Sequence, residues 1–299
     1  MSPTDTLTDD LLAEELPDAP PRGKLAANLR RLVRHRSGRF GLFMLGLIVT
    51  LAAIGPWLVP YDPLELNMPD RLQPPSRAHW FGTDELGRDL LSRIVAGTRY
   101  FLLVSGVSIA IAASGGILLG LIAAGGGKWA DMIVMRVVDV MLSFPYVLLL
   151  LAVIAILGPS LTTAMIAVGT AAIPGFARLV RGEALSVREQ EYVEAMRVLG
   201  AGPIRITLGT ILPNIMSPIV IYASYSMPLA VLSAAALSFL GLGAQPPLPE
   251  WGAMLVQSRT FLRTAWWIVA APGFSIFFAI LGLNLLGNAI RDVLDTRMR

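Results

Sequence analysis

Long apolar stretches alternate with short charged segments along the chain. A stretch of roughly 20 apolar residues is long enough to cross about 30 Å of hydrocarbon as a helix. Six stretches that contain no Asp, Glu, Lys or Arg approach or exceed this length. They run over residues 40–59, 101–124, 140–157, 161–177, 215–242 and 265–290. The pattern predicts an all-α integral membrane protein with six transmembrane helices.

Glycine and proline refine this arrangement. Residues 158–160 are the only break between the third and fourth stretches, so we expect these two helices to form a tight hairpin. Pro213, Pro218 and Pro228 predict that the fifth span is bent or broken near its start. Gly116 and Gly120 have the spacing of a close helix contact in the second span.

The Lys and Arg residues predict the orientation in the membrane. With the N-terminus inside, six spans place the two termini, the turn at 125–131 and the long loop at 178–213 in the cytoplasm. Together with Arg136 at the inner end of the third span, these segments carry 17 of the 24 Lys and Arg residues, and the outer segments, chiefly the loop at 60–100, carry 7. The positive-inside rule therefore predicts a multi-pass protein with both termini cytoplasmic.

The first 39 residues divide into two parts. Residues 1–23 are rich in acidic residues, Pro and Thr, and they predict a disordered cytoplasmic tail. In residues 24–39, Leu25, Leu29 and Leu32 recur at helical spacing between basic residues. This pattern predicts an amphipathic cytoplasmic helix that lies on the anionic inner leaflet.

Composition and charge argue against a soluble protein, a site built on Cys and a nucleic-acid binder. The chain is 55% hydrophobic with a mean hydropathy of +0.64, and it contains no Cys. The basic residues cluster at the ends of apolar stretches, which argues against nucleic-acid binding. His35 and His79 each stand alone, so we interpret both as ordinary surface histidines. The six Trp residues lie near span ends, as interface anchors do. They are Trp57, Trp80, Trp129, Trp251, Trp266 and Trp267.

No feature of the chain supplies energy or catalysis. The span interiors lack ionisable residues, and the nearest, Asp131, Arg136 and Asp139, lie at the inner end of the third span. We expect Arg136 and Asp139 to form a structural ion pair. The chain lacks a phosphate-binding loop, so it binds no ATP and needs no cofactor of its own. An ion-coupled secondary carrier that binds Na⁺ through carbonyl groups stays open as an alternative.

The cytoplasmic loop contains a predicted helix outside any span. Tyr192, Ala195, Met196 and Leu199 recur every three to four residues and give a short amphipathic helix with an apolar stripe. Gly200 then suits a left-handed cap that turns the chain sharply. Such a stripe predicts a partner surface, and the alternative is a helix that rests on its own bundle or on lipid headgroups.

This loop resembles the EAA loop of ABC-importer permeases. In that loop, Glu-Ala-Ala precedes a Gly and then Ile-Leu-Pro. Here Glu194, Ala195 and Gly200 match the first part, and Leu212 and Pro213 match the end, whereas Met196 replaces the second Ala.

The outer loop at 60–100 narrows the resemblance to one subfamily of these permeases. Residues 79–93 (HWFGTDELGRDLLSR) and 237–243 (LSFLGLG) resemble the second, C-type permease subunit of dipeptide, oligopeptide and nickel importers. The charges of this loop either bind a docked protein or hold the outer segment to its own bundle, and the compact turn favours the bundle. The motif residues are Gly82, Thr83, Asp84, Gly87, Arg88 and Asp89.

The resemblance implies a fold and a set of partners. Residues 40–299 would form a type I ABC-importer permease bundle in a bacterial inner membrane. The implied partners are a homologous second permease subunit, two ATPase subunits that bind ATP and Mg, and an extracytoplasmic substrate-binding protein. The implied solute is a short peptide or a similar zwitterion, with nickel chelates or oligosaccharides as alternatives. A subunit of an ABC exporter or signalling system fits less well, because exporters differ in the cytoplasmic loop.

Three positions depart from this family. Ala234 stands where Glu is common, Asn288 where Asp is common, and Thr296 where Asp-Pro is usual. If Ala234 faces the translocation path, it makes the lining less polar.

Overall fold

A computed structural model of the protein describes residues 36–294. These residues form ten α-helices and no named strand. The helices are α1 (Arg36–Leu58), α2 (Leu90–Gly125), α3 (Gly127–Ser143), α4 (Tyr146–Leu157), α5 (Leu161–Arg188), α6 (Glu191–Val198), α7 (Pro203–Ile206), α8 (Leu212–Phe239), α9 (Trp251–Ser258) and α10 (Trp267–Leu294). The predicted tail at 1–23 lies outside the described residues. So does the predicted amphipathic helix at 24–39, except for its last four residues, which begin α1.

Five of the described helical segments are long and apolar enough to cross a membrane, and a bent pair brings the number to six if it counts as one span. That pair is α3 and α4, whose axes differ in direction by 96°. The sequence predicted one helix over 140–157, and this is wrong. Pro145 breaks it, because proline lacks a backbone N–H and disfavours a helical conformation at Phe144.

The second and fifth spans also differ from the prediction. Helix α2 begins at Leu90, eleven residues before the apolar stretch, and a single residue separates its end from α3. Helix α8 continues without a break through Pro218 and Pro228. Helix α8 is therefore not broken at these prolines, and a π-helical turn at Thr207–Ile211 precedes it.

Two hydrophobic cores hold the bundle together. The larger lies between α2, α5 and α8, and it includes Phe176, Val180 and Ile215, which are fully buried. Gly116 and Gly120 bring α2 into close contact with α5, so their small surfaces serve packing within this chain. The second core joins α1, the outer part of α2, α9 and α10.

Ion pairs fasten α3 to α5 at the inner side of the bundle. Asp131 accepts two hydrogen bonds from Arg181, at 2.5 and 2.6 Å, and Asp139 accepts one from Arg178 at 2.6 Å. The predicted pair between Arg136 and Asp139 is therefore wrong. A partner on a neighbouring helix takes the place of the local one because α3 lies against α5.

Candidate functional site in the cytoplasmic and outer loops

The loop predicted to be cytoplasmic contains the predicted helix, α6, and a sharp turn after it. Gly200 has a φ of +83°, a left-handed conformation that favours glycine. The N–H of Ala201 donates to the carbonyl of Met196, and the N–H of Gly200 donates to that of Arg197, both at 2.9 Å. This pair of hydrogen bonds is a Schellman cap, which ends the helix and redirects the chain towards α7.

The two faces of α6 have different environments. Val193 is fully buried and Met196 is partly buried against the larger core, where the Met196 sulfur lies 3.4 Å from the Thr210 hydroxyl. Tyr192 and Ala195 are exposed on the other side. The residues of the predicted apolar stripe therefore do not share one environment, because Met196 faces the bundle whereas Tyr192 and Ala195 are exposed. Val193 was missed, although its spacing to Met196 is that of one helical face.

Several large apolar side chains of this loop are exposed, and three of them, Tyr192, Val198 and Leu199, lie between the apolar helical segments Leu161–Arg188 and Pro203–Phe239. Val198 is 80% exposed and Leu199 is 85% exposed. We call the exposed apolar residues of this loop the loop surface. It consists of Tyr192, Val198, Leu199, Ile204 and Leu208.

The sequence pattern identified only Tyr192 and Leu199 of the loop surface. The available signal for the others was apolar residues that continue beyond the first short helix. Leu212 and Pro213 do not belong to this surface, since they lie in the first turn of α8. Leu212 is partly buried against the core and Pro213 is exposed.

A charged cleft of about 580 Å³ lies beside α6. Glu194 and Arg197 line it and form an ion pair at 2.8 Å, and Arg188 and Glu191 contribute further charges of both signs. Exposed apolar residues beside mixed charges are typical of a surface that binds another protein. This arrangement can bind and transmit movement, and it offers no nucleophile with an activating base.

The outer motif forms a buried network of charges. Asp84 accepts hydrogen bonds from the backbone N–H and the Nε of Arg88, the latter at 2.6 Å, and its Oδ2 lies 3.5 Å from the Nε of Arg93. Arg88 also donates to Gln257 of α9 at 3.3 Å. The side chains of Asp84, Arg88 and Arg93 are almost fully buried. The network therefore ties the outer loop to α2 and α9.

Asp89 links the same loop to the start of α2. Its carboxylate accepts from the backbone N–H of Ser92 at 2.8 Å, which caps the helix, and it lies 2.9 Å from the Nδ1 of His79. His79 is buried and packs against the ring of Tyr61. The interpretation of His79 as a surface histidine is therefore wrong, because the folded loop closes over it.

The small residues of the motif allow close backbone contacts. Thr83 is fully buried, and its hydroxyl donates to the carbonyl of Asp70 at 2.5 Å. At Gly87, with a φ of +75°, an added Cβ would lie 1.7 Å from the carbonyl oxygen of Asn67. Gly82 also has a positive φ, and its added Cβ would lie 2.6 Å from the carbonyl oxygen of Gln73. The whole motif serves to pack the outer loop.

Tryptophan contributes to the outer packing as well. Trp251 is 4% exposed, and its indole donates to the carbonyl of Ile94 at 3.1 Å. It is therefore a core residue, and its interpretation as an interface anchor is wrong. Trp267 donates to the carbonyl of Thr83 at 3.2 Å.

The described part of the chain brings no group of three His, Asp or Glu side chains into a metal-binding arrangement.

Comparison with known proteins identifies the family. Residues 116–299 match the family described as "Binding-protein-dependent transport system inner membrane component". Residues 25–75 match the N-terminal transmembrane domain of oligopeptide transport permease C. The chain belongs to the family of binding-protein-dependent transport permeases. This assignment decides against the ion-coupled secondary carrier.

Curated relatives align with this permease over most of its length. The dipeptide transport system permease protein DppC of Alkalihalophilus pseudofirmus is 42% identical over 97% of each chain. The di/tripeptide transport system permease protein DppC of Pseudomonas aeruginosa is 44% identical over 89% of this chain and 90% of its own. The glutathione transport system permease protein GsiD of Pectobacterium atrosepticum is 43% identical over 90% of each chain.

A solved structure shares the fold of this permease. A chain of the inward-facing MetNI methionine ABC transporter superposes with a TM-score of 0.55 at 21% identity. The match covers 68% of this permease and 97% of that chain. The permease therefore has the type I ABC-importer bundle that its sequence predicts.

The structure shows the surroundings of two of the three residues that depart from the family pattern. Ala234 is buried in the larger core and lines a small cavity with Glu250. It therefore packs inside the chain. Asn288 accepts a hydrogen bond from the Tyr225 hydroxyl at 2.8 Å. Thr296 lies outside the described residues.

Glu250 is the buried acid of the outer region nearest to this cavity. Its carboxylate caps α9 by accepting from the backbone N–H groups of Gly252 and Ala253, at 2.9 and 2.8 Å. Burial raises the pKa of Glu250, while these two hydrogen bonds and the Ser238 hydroxyl act in the opposite direction.

We predict that Asp84→Ala strongly destabilises this permease. The substitution removes the carboxylate that Arg88 and Arg93 share and leaves only the longer contact of Arg88 with Glu85 at 3.4 Å, and removing one partner of a buried pair costs about 3–5 kcal/mol. Asp139→Ala is the matched control, because its pair with Arg178 is half exposed and is expected to contribute about 1 kcal/mol or less. Thermal unfolding in detergent measures both. Equal melting temperatures for the two variants would contradict the structural role of the network.

Proposed function

We propose that this permease forms half of the translocation pathway of a peptide importer and couples it to ATPase subunits through α6. The exposed apolar residues of the loop surface carry this proposal. Val198 and Leu199 end a rigid, capped helix and present apolar area to the cytoplasmic side that no described part of the chain covers. Water-exposed apolar residues of this size favour a protein partner.

The proposed assembly contains a homologous second permease subunit, two ATPase subunits and an extracytoplasmic substrate-binding protein. The ATPases bind ATP and Mg, and this chain supplies neither a phosphate-binding loop nor a catalytic residue. Closure of the ATPases on ATP moves α6, and each permease follows it, so that the pathway changes from inward to outward access. The charged cleft beside α6 provides ionic contacts that orient the docked ATPase.

The proposed solute is a short peptide or a zwitterion of similar size. The relatives named for dipeptides, for di/tripeptides and for glutathione support this class. The uncharged interiors of the spans agree with it, since they give varied side chains a passage without binding one sign of charge. A bare cation would need oxygen or imidazole ligands along its path.

Uptake of labelled peptides tests the solute. We expect cells that lack this gene to lose uptake of labelled di- to pentapeptides, while uptake of nickel and of small sugars continues. The same peptides should enter proteoliposomes in an ATP-dependent way only when the partner subunits are present. Intact peptide uptake in the deletion strain, with loss of nickel or sugar uptake, would overturn the solute and leave the permease assignment in place.

We further propose that both termini and the loop at 178–213 lie in the cytoplasm of a bacterial inner membrane. The chain contains no Cys, so single-cysteine variants report the topology directly. We expect Gln73→Cys and Gln245→Cys, both at exposed outer positions, to react with a membrane-impermeant maleimide in intact cells. Leu199→Cys should react only after permeabilisation. Labelling of Leu199→Cys in intact cells would contradict the orientation.

A further inference from the structure

A large apolar groove lies at the outer end of the bundle, between α1 and α10. Its volume is about 540 Å³, and the outer loop and the start of α2 complete its walls. The lining contains no charged side chain, and Thr98 and Ser275 supply its only hydroxyl groups. A groove of this size and polarity is typical of a site for an apolar ligand.

The groove has the depth of one membrane leaflet. On α1 its lining residues run from Leu51 to Met44, a distance of seven residues or about 10 Å. On α10 it extends from Trp267 to Ala279, a distance of 12 residues or about 18 Å. Half of the hydrocarbon core of a bilayer measures about 15 Å. Along its α10 wall the groove therefore matches the length of a lipid acyl chain in the outer leaflet.

The mouth of the groove carries features that suit a lipid headgroup. Trp80 and Trp266 line it and are largely exposed, as indole rings at the level of the headgroups are. Arg77 and Arg263 are also exposed, and each precedes one of these Trp residues by three positions. Arg77 lies between the lining residues Pro75 and Trp80, so both basic residues belong to the segments that form the mouth, where a lipid phosphate would lie.

We propose that this groove binds one acyl chain of an outer-leaflet phospholipid, with its phosphate beside Arg77 and Arg263. The site is distinct from the loop surface, which lies on the opposite side of the membrane in the proposed orientation. Basic residues at the mouth favour an anionic headgroup over a transmembrane helix of a partner, which would bring apolar residues to this level. A bound lipid would join α1 to α10, since the two helices form opposite walls.

Native mass spectrometry of the full-length permease tests the site. After delipidation in mild detergent, we expect one palmitoyl-oleoyl phosphatidylglycerol to bind with saturation to the unmodified permease. Ala271→Trp fills the groove and should weaken this binding by about tenfold or more, because a bulky side chain displaces the acyl chain. Ala110→Trp places the same side chain at an exposed position of α2 outside the groove, and it should bind like the unmodified permease.

A second variant tests the headgroup without changing the groove. Arg77→Gln combined with Arg263→Gln alters only exposed positions, and it should weaken phosphatidylglycerol by about tenfold. It should leave the binding of phosphatidylcholine with the same acyl chains almost unchanged.

Equal lipid binding by the two Trp variants would overturn the proposal. Absence of saturable binding to the unmodified permease, or crosslinking of position 271 to a partner subunit in place of lipid, would overturn it as well.

Discussion

Gly116→Leu in α2 is expected to prevent the permease from folding. A Cβ at this position would lie 2.2 Å from the Cβ of Phe176 and 2.9 Å from the backbone nitrogen of Ala177. The backbone of α5 cannot move away without opening the larger core. Overpacking usually costs about 1–3 kcal/mol, and a clash with a neighbouring backbone costs more. That cost is a large part of a total stability of about 5–15 kcal/mol.

The same helix offers a matched control. Gly106→Leu adds the identical side chain to α2 at a position where an added Cβ meets no atom within 4 Å. We expect Gly106→Leu to be purified in detergent as a monodisperse protein, and Gly116→Leu to aggregate or be degraded. Gly120→Leu should resemble Gly116→Leu, since its Cβ would lie 2.6 Å from that of Val180. Similar yields of folded protein from all three variants would show that α2 and α5 are not in close contact.

The hydropathy of the sequence predicted the number of spans but missed where α2 begins. Arg93 and Arg99 interrupt the apolar pattern, so the second span was expected to start at residue 101. In the structure both side chains find acceptors inside the bundle. Arg93 donates to the carbonyl of Pro63 at 3.0 Å, and Arg99 donates to that of Ala52 at 2.7 Å. A charged side chain that makes tertiary contacts cannot be distinguished in the sequence from one that faces water.

The bend between α3 and α4 was missed for a related reason. Pro145 was visible in the sequence, but Pro174, Pro218, Pro228 and Pro272 all lie inside continuous helices. A proline in a span therefore does not by itself predict a break. At Pro145 the preceding residue, Phe144, has an extended conformation, and the ion pairs of Asp131 and Asp139 link α3 to α5.

The candidate site was predictable where local rules decide the structure. Gly200 ends α6 as the turn chemistry required, because a left-handed residue after a short amphipathic helix is a local feature. The environment of Met196 and the burial of His79 were not predictable in this way. Each depends on a residue from a distant segment, Thr210 for the first and Tyr61 for the second.

Leu199→Asp is expected to abolish transport while the permease still folds, an outcome that rests on the proposed role of α6. Leu199 is among the most exposed apolar residues of the described chain, so a carboxylate there costs no core packing. In a docked complex the same carboxylate would be buried without a partner and would cost several kcal/mol. We expect substrate-stimulated ATPase activity and peptide uptake of the assembled complex to fall at least about tenfold.

Leu66→Asp is the control for this substitution. Leu66 is an exposed apolar residue of the outer loop, so its replacement should leave ATPase activity in detergent unchanged. Affinity of the binding protein for its substrate should be normal in both variants. Stimulated ATPase activity that survives in Leu199→Asp would show that this part of the loop does not contact an ATPase.

Gly200→Val tests whether the direction of the chain after α6 matters for coupling. A β-branched residue at a φ of +83° costs about 1–3 kcal/mol, which is enough to displace the cap and with it the path from α6 to α7. Gly202→Val is the matched control, since Gly202 has a φ of −68° and an added Cβ meets no atom within 4 Å.

Glu194→Lys should also reduce coupling, because it removes the ion pair with Arg197 and reverses a charge of the cleft. We expect Gly200→Val and Glu194→Lys to lose stimulated ATPase activity and Gly202→Val to retain it. The same activity in Gly200→Val and Gly202→Val would mean that the cap does not transmit movement, and the coupling would then depend on side-chain contacts alone.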